Sequence, residues 1–389
     1  MAKHALLSAS GSSRWLECTP SARFELQFPK STSDYAEEGT AAHELCELTA
    51  RYWLGDITEK AYENKLAKLQ KGKYYNEEMR ECANDYGRYI SETVKAAREK
   101  CPDAIAELEV NDLDFSDWAP EGFGTGDCVI VADDTLEIID FKYGKGVLVE
   151  AKGNTQMRLY ALGAIKLYGE LYNIKRVKMS IIQPRITRGS NSDEISVDEL
   201  MEWAENYVKP RAALAFAGNG EFRPGEKTCR FCRAKQQCKA RAEQNLALFD
   251  NAPEIITAED AGQILARAAD IKAWLSDLEN LVMTKLFAGG KVTGWKIVEG
   301  KSSRKYVDED KVAEAMIKAG FPEADLYTRS VLGITAMEKM FGKKEINKVL
   351  KGLIYKPEGK PTLAREDDKR PAYSPKDLVL RAFDDASND

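Results

Sequence analysis

The spacing of hydrophobic residues in the first half of the chain changes from helical to extended and back. Ala41, Leu45 and Leu48 recur three to four residues apart, which is typical of one face of an amphipathic helix. Farther on, apolar residues alternate with polar ones or form short β-branched runs, which indicates strands. The pattern predicts helices at 37–53, 76–100, 155–171 and 197–217, and strands at 105–115, 126–133, 135–143, 147–151 and 177–185.

This order of elements predicts a mixed α/β core in which helices cover a sheet. After the turn Gly218-Asn219-Gly220 the composition changes to a strongly basic stretch, and a long helix is predicted from Thr257 to Leu286. A strand at 294–300 and helices near 308–319 and 334–350 follow. We therefore expect two domains, 1–245 and an α-rich extension with a small strand region at 246–389.

Composition limits the class of protein. Of 389 residues, 43% are hydrophobic and 31% are charged, so the chain can bury a core and is neither collagen-like nor disordered overall. No apolar run approaches the roughly 20 residues that cross a bilayer. The apolar stretch at the start of the sequence is too short for a signal-peptide core, so a cytoplasmic location is expected. The net charge of −6 argues against a protein coated in positive charge. With only two histidines, a multi-histidine zinc enzyme or a Ser-His-Asp enzyme is disfavoured.

Two acids and a lysine stand near each other on two predicted strands. Asp127 begins one strand and Asp140 ends the next, so a hairpin would bring both carboxylates to one end of the sheet. Lys142 follows two residues later and points to the same face as Asp140. Carboxylate oxygens favour Mg²⁺ or Mn²⁺. Taken singly, each residue could equally be an ordinary turn or surface charge, but Asp140 ends an apolar run where an unpartnered carboxylate is costly.

Three of the eight cysteines are clustered as C-x2-C-x5-C at Cys229, Cys232 and Cys238. In a cytosolic chain such a cluster indicates a metal rather than disulfides. Cys18 is the candidate fourth ligand because it lies in a predicted turn. Zinc and an iron–sulfur cluster are both compatible with these residues.

The site residues resemble a known family when they are read in order. They comprise His43 in a predicted helix, G-x-x-D ending in Asp127, D-x-K at Asp140 and Lys142, and Q-x-x-x-Y at Gln156 and Tyr160. Over residues 8–240 this order resembles the RecB-like branch of the PD-(D/E)XK nucleases, which includes the AddAB nuclease domains and the CRISPR-associated adaptation exonucleases. The resemblance implies a restriction-endonuclease-like core and hydrolysis of DNA phosphodiester bonds.

The same resemblance implies a role for each position. The divalent metal would be bound by His43, Asp127, Asp140 and the backbone carbonyl of Phe141, with Lys142 as the catalytic lysine and Gln156 and Tyr160 orienting the site. An N-terminal cysteine with three more after the core is similar to the iron–sulfur staple of AddB-type nucleases. This implies a [4Fe–4S] cluster at Cys18, Cys229, Cys232 and Cys238, with zinc as the alternative.

The C-terminal sequences GWKIVEGKSSRKY and GKPTLAREDDKRPAY resemble an uncharacterised family encoded by phages and prophages. This implies a hydrolase acting in phage DNA recombination in the bacterial cytoplasm, beside a single-strand annealing or single-strand binding protein. Alternatives are an endonuclease or flap nuclease in a phage replication complex, and a non-cutting iron–sulfur scaffold that binds DNA. A homo-oligomer is compatible with processive digestion, although no residue pattern specifies one.

An acidic DNA-binding protein needs local positive charge for phosphate contacts. Two basic stretches, 223–241 and 285–306, meet this requirement, and unpaired bases could stack on an aromatic residue in the second. Both could equally be ordinary solvated faces. The candidate DNA-binding residues are Arg230, Arg233, Lys235, Trp295, Lys296, Arg304 and Lys305.

Overall fold

The structure is a computed structural model that describes residues 5–29, 34–187, 189–250, 257–297, 309–319, 333–342, 348–350 and 353. The chain divides into two compact units, Met1–Thr293 and Gly294–Asp389. The domain boundary predicted after residue 245 stays a prediction. No helix in the described part of the chain is long and apolar enough to cross a membrane.

The first unit is a sheet covered by helices, which confirms the predicted α/β fold class. Its strands are β1 Ile105–Asp114, β2 Phe123–Ala132, β3 Thr135–Phe141, β4 Arg176–Ile182 and β5 Ser190–Ser196. Its helices are α1 Ser12–Trp15, α2 Ser21–Phe24, α3 Asp34–Leu54, α4 Glu59–Leu69, α5 Glu77–Lys100, α6 Thr155–Tyr168, α7 Val197–Trp203, α8 Lys209–Ala217, α9 Glu226–Arg230, α10 Lys239–Asp250 and α11 Ala258–Phe287. A π-helical turn, Ala204–Val208, joins α7 to α8.

The five strands form one mixed sheet in sequence order, β1-β2-β3-β4-β5. Strands β1, β2 and β3 are antiparallel neighbours, whereas β3 and β4 are parallel. Residues 115–122 connect β1 to β2, and the short turn 133–134 connects β2 to β3. Parallel pairing needs a crossover, and α6 supplies it. Strand β5 closes the order as an antiparallel edge.

Both faces of the central strands are buried, which explains their nearly continuous apolar sequences. Val129 and Ile138 pack in the core cluster that contains the inner face of α6, whereas Cys128 and Ile139 pack in the cluster formed with α3 and α5. Gly163 of α6 lies against β1, because a Cβ at this position would be only 2.6 Å from the carbonyl carbon of Leu113. Helix α6 is therefore held close to the sheet.

Polar residues cap the helices at the predicted starts. The side chain of Asn76 accepts a hydrogen bond from the Met79 amide at the start of α5, and that of Asn154 accepts from the Met157 amide at the start of α6. Such caps satisfy amides that lack partners within the helix. Thr257 begins α11 with a full capping box to Asp260.

Three parts of the first unit differ from the sequence-based expectations. Residues 147–151 are not a strand, because the amides of Val149 and Ala151 are bound by the side chains of Gln183 and Asn191 instead of a neighbouring strand. Helix α4 was missed because its sequence, EKAYENKLAKL, is mostly polar and none of its residues is fully buried, although Leu66 and Leu69 pack against the core. Edge strand β5 was missed because its sequence, SNSDEIS, is almost entirely polar.

The N-terminal segment packs onto residues near the end of the first unit. Glu25, which is buried, accepts a hydrogen bond from the Arg233 amide (2.6 Å) and pairs with Arg14 (2.8 Å). The Thr19 hydroxyl donates to the carbonyl of Asn219 at 2.7 Å. These contacts bring residue 18 close to residues 229–238.

The described part of the second unit contains the helices α12, Glu309–Lys318, and α13, Ile334–Phe341. They confirm the helices predicted near 308–319 and in the first part of 334–350. In the predicted strand at 294–300, the described residues 294–297 contain only an isolated bridge at Trp295, and 298–300 lie outside the described residues.

Candidate active site

His43 of α3 and Asp127 of β2 form the first part of the site. Nδ1 of His43 lies 3.2 Å from Oδ1 of Asp127, and Oδ2 of Asp127 accepts a hydrogen bond from the Phe141 amide at 2.7 Å. Burial opposes protonation of the imidazole, but the hydrogen bond and charge of Asp127 outweigh it and raise the pKa of His43. A metal ion at this position would have to displace that proton.

Asp140 and Lys142 form the second part. Nζ of Lys142 lies 2.9 Å from Oδ2 of Asp140, whose residue is 3% exposed. Burial opposes the charge of the lysine, but the charge of Asp140 and the hydrogen bond to it raise the pKa of Lys142. The amine is therefore held as an ammonium ion in a water-poor site, where its field is strong.

Gln156 and Tyr160, one turn apart on α6, extend this network. Oε1 of Gln156 accepts from Lys142 (3.2 Å), while its Nε2 donates to Oδ1 of Asp140 (3.3 Å) and to the Tyr160 hydroxyl (3.2 Å). Gly124 makes room for the tyrosine ring, because a Cβ there would lie 2.5 Å from its Cε1. The G-T-G-D sequence thus positions the ring as well as Asp127.

The two parts meet at the end of the β2–β3 hairpin. Cys128 pairs with Ile139, so one further step along the ladder places Asp127 across from Asp140. The hydrogen bond from Phe141 to Asp127 joins them. The structure therefore brings His43 to Asp127, and Asp140 to Lys142, Gln156 and Tyr160. Their roles, and ligation by the Phe141 carbonyl, stay predictions.

Glu109 of β1 is the site residue that sequence reasoning missed. One ligand atom each from His43, Glu109 and Asp127 lie within 4.8 Å of one another, and no other described residues form such a group of three metal ligands. Glu109 has a φ of 53°, in the left-handed region. Burial, then the charges of Asp127 and Glu47, raise the pKa of Glu109 to about 7. This set is compatible with Mg²⁺ or Mn²⁺.

Only the register of the β1–β2 ladder could have predicted that Glu109 belongs to the site. In the β1–β2 ladder Leu108 pairs with Cys128 and Val110 with Gly126, so Glu109 stands across from Asp127. This register cannot be read from the sequence, because the ladder shifts between Val110 and Leu113 and the connection to β2 is long.

The four predicted cysteines line one cavity. Cys18, Cys229, Cys232 and Cys238 share it with apolar neighbours that include Phe24 and Phe222. The amides of Arg223 and Gly225 donate to the sulfurs of Cys18 and Cys229, each at 3.4 Å. Burial raises the pKa of Cys232 to about 12.

The spacing of these sulfurs bears on which metal fits. Within the described residues, no three cysteine sulfurs lie within 4.8 Å of one another. Zinc–sulfur bonds of about 2.3 Å in a tetrahedron would place sulfurs roughly 3.8 Å apart. A single zinc ion would therefore require the cavity to contract.

Several predicted DNA-binding residues already have protein partners. Arg230 pairs with Glu226 (2.8 Å), Lys235 with Asp277 (3.0 Å), and Arg233 donates to the Phe28 carbonyl (3.2 Å). In the second unit, Trp295 is 65% exposed and Lys296 is exposed. Arg304 and Lys305 lie outside the described residues. Contact of these seven residues with DNA stays a prediction.

Comparison with known proteins assigns the chain to a family. Residues 4–371 match the model of DUF2800, described as a protein of unknown function, and the chain belongs to that family. Among solved structures, LHK-Exo in complex with dAMP aligns at 16% identity and a TM-score of 0.24, covering 46% of this chain and 93% of that one. SSO0001 aligns at 14% identity and a TM-score of 0.22, covering 59% and 96%.

Replacing Gly124 by Ala is expected to lower the free energy of unfolding by about 1–3 kcal/mol, the usual cost of overpacking a filled interior. The added methyl group would displace the ring of Tyr160, which is 8% exposed. Denaturant unfolding followed by circular dichroism measures the change. Gly39→Ala is the control, because nothing lies within 4 Å of a Cβ there. Equal stability of the Gly124 variant and the wild type would contradict this packing.

Glu109→Gln is expected to stabilise the metal-free protein at pH 8 by roughly 1–2 kcal/mol. Because the folded-state pKa of Glu109 is raised to about 7, from about 4.3 in an unfolded chain, this residue lowers stability as pH rises from about 4 to 7. The uncharged Gln side chain does not lose stability in this way, so the variant should be the more stable protein at pH 8. At pH 4, where Glu109 is protonated, the two proteins should be equally stable. Thermal unfolding in EDTA at both pH values measures the difference, and a less stable variant at pH 8 would contradict the raised pKa.

Proposed function

We propose that this protein is a metal-dependent DNA exonuclease of the RecB-like PD-(D/E)XK type. The observation that carries the proposal is the hydrogen bond from the Phe141 amide to Asp127, which joins the His43–Asp127 contact to the Asp140–Lys142 ion pair. An imidazole, carboxylates and an ammonium ion are thereby placed at one end of a hairpin. The order of these residues along the chain supports the same function.

The side chains present fit a divalent ion and the chemistry of phosphodiester hydrolysis. His43, Asp127, Asp140 and the Phe141 carbonyl would hold Mg²⁺ or Mn²⁺, which supplies a Lewis acid and an activated water. Lys142, held by Asp140 and Gln156, presents a fixed positive charge to the negative charge that develops on the phosphate oxygens. Tyr160 restrains Gln156, and both would orient the DNA backbone.

Cleavage of linear and circular DNA in Mn²⁺ tests this function. We expect loss of linear DNA only, with circles left intact. Cutting of circles would instead indicate an endonuclease or flap nuclease, and loss of neither would favour a scaffold that binds DNA without cutting it. The end-label pattern of the products reports the polarity of digestion.

Lys142→Ala is expected to reduce cleavage by about 100-fold or more, in line with loss of one charge-stabilising group. DNA affinity should change little, whereas the free energy of unfolding should fall because buried Asp140 loses its partner. Cleavage is therefore compared at a temperature where circular dichroism shows both proteins folded. Lys145→Ala is the matched control, because Lys145 is exposed on the following loop and pairs only with Glu78 among the described residues. If the Lys142 variant cuts at the wild-type rate, the catalytic residues lie elsewhere.

We propose further that the cysteine cavity holds a [4Fe–4S] cluster rather than zinc. Support comes from the four cysteines that line one cavity and from the similarity of their order along the chain to the iron–sulfur staple of AddB-type nucleases. A cluster would close the long loop between residues 18 and 229, which restricts the unfolded chain. In the folded protein, the hydrogen bond from the Arg233 amide to Glu25 already holds the two ends of this loop together.

Cys232→Ala is expected to abolish the visible absorption and the bound iron and sulfide of protein purified without oxygen. Its solubility or stability should also fall. Cys101→Ala is the control, since Cys101 does not line the cavity. Colourless wild-type protein with one equivalent of zinc would establish the zinc alternative instead.

The proposed setting is phage DNA recombination or end processing in the bacterial cytoplasm. DNA would be the substrate, and a phage single-strand annealing or single-strand binding protein a partner. The resemblance of the C-terminal sequences to phage-encoded proteins supports this setting. The exposure of Trp295 and Lys296 supports DNA binding. Homo-oligomerisation is part of the same proposal.

A further inference from the structure

Glu109 has features that its position in a strand does not explain. Its backbone is in the left-handed region, which is uncommon for a residue with a side chain. Its carboxylate lies beside Asp127, and two carboxylates in a half-buried site repel each other unless a positive charge lies between them. Among the described hydrogen bonds and ion pairs, none involves the Glu109 carboxylate. The charges of His43 and Arg51 only partly offset this repulsion, and the carboxylate has no hydrogen bond or ion pair of its own among the described contacts.

The donor atoms around Glu109 suit a transition-metal ion. The group combines one imidazole nitrogen with two carboxylate oxygens, all within 4.8 Å of one another. Metal–ligand bonds of about 2.1–2.2 Å in an octahedron place ligands roughly 3–4.4 Å apart, so small side-chain adjustments would close the site. Oδ2 of Asp127 is occupied by the Phe141 amide, while its Oδ1 faces His43.

We propose that Glu109 is a direct ligand of the divalent cation, binding it from β1 together with His43 and Oδ1 of Asp127. This inference rests on the metal-dependent function proposed above and adds a ligand that the family pattern does not assign. A nitrogen ligand beside two carboxylates favours Mn²⁺ over Mg²⁺. Asp140 keeps the ligand role proposed above and also pairs with Lys142.

Calorimetric titration of the full-length protein with Mn²⁺ tests the assignment without reference to cleavage. After removal of loosely bound ions, Glu109→Gln should weaken the Mn²⁺ affinity by at least about tenfold. Glu107→Gln is the matched control, because Glu107 is exposed on the same strand, and its affinity should equal that of the wild type. The wild type should bind Mn²⁺ more tightly than Mg²⁺.

Asp127→Asn separates failure of this inference from failure of the proposed function. If Asp127→Asn loses Mn²⁺ binding and Glu109→Gln does not, Glu109 is not a ligand and the ion site stands. If both variants bind like the wild type, or the wild type does not bind, the ion site itself is wrong. Glu109→Asp keeps the carboxylate and should bind Mn²⁺ more tightly than Glu109→Gln. A rise in the Tm of each variant that binds Mn²⁺ shows that the variant is folded.

Discussion

The candidate site depends on one hydrogen bond between a side chain and the backbone, from the Phe141 amide to Asp127. Phe141 stands between Asp140 and Lys142, so this bond fixes the end of β3 relative to the middle of β2. The other carboxylate oxygen of Asp127 faces His43 on α3. One partly buried acid thus connects a helix and two strands at the site.

Burial on both faces of the sheet keeps this arrangement rigid. The central strands pack against α6 on one side and against α3 and α5 on the other, so charged groups at their ends are partly withdrawn from water. An isolated charge there would be costly. Asp140 is stabilised by Lys142, and His43 by Asp127. Glu109 lacks such a counterpart among the described contacts, which sets it apart within the site.

The sequence predicted those features that depend on short-range spacing. The hairpin from Asp127 to Asp140 has a short turn, and Gln156 and Tyr160 share one face of α6, so their proximity follows from periodicity alone. Glu109 depends on a register shift between distant residues, which periodicity does not encode. Edge strand β5 and helix α4 were missed because both sequences are mostly polar. The β-branched run at 147–151 was misread because side chains, not a strand, bind its amides.

The N-terminal segment touches both of the chemically distinctive regions of the first unit. The hydroxyl of Ser12 lies 2.6 Å from that of Thr155, the residue immediately before Gln156, and Cys18 follows six positions later at the cysteine cavity. One hydrogen bond and a short stretch of chain, from Ser12 to Cys18, therefore connect the cavity to the start of α6. The segment that carries Cys18 thus also supports the first turn of α6, from which Gln156 contacts Lys142.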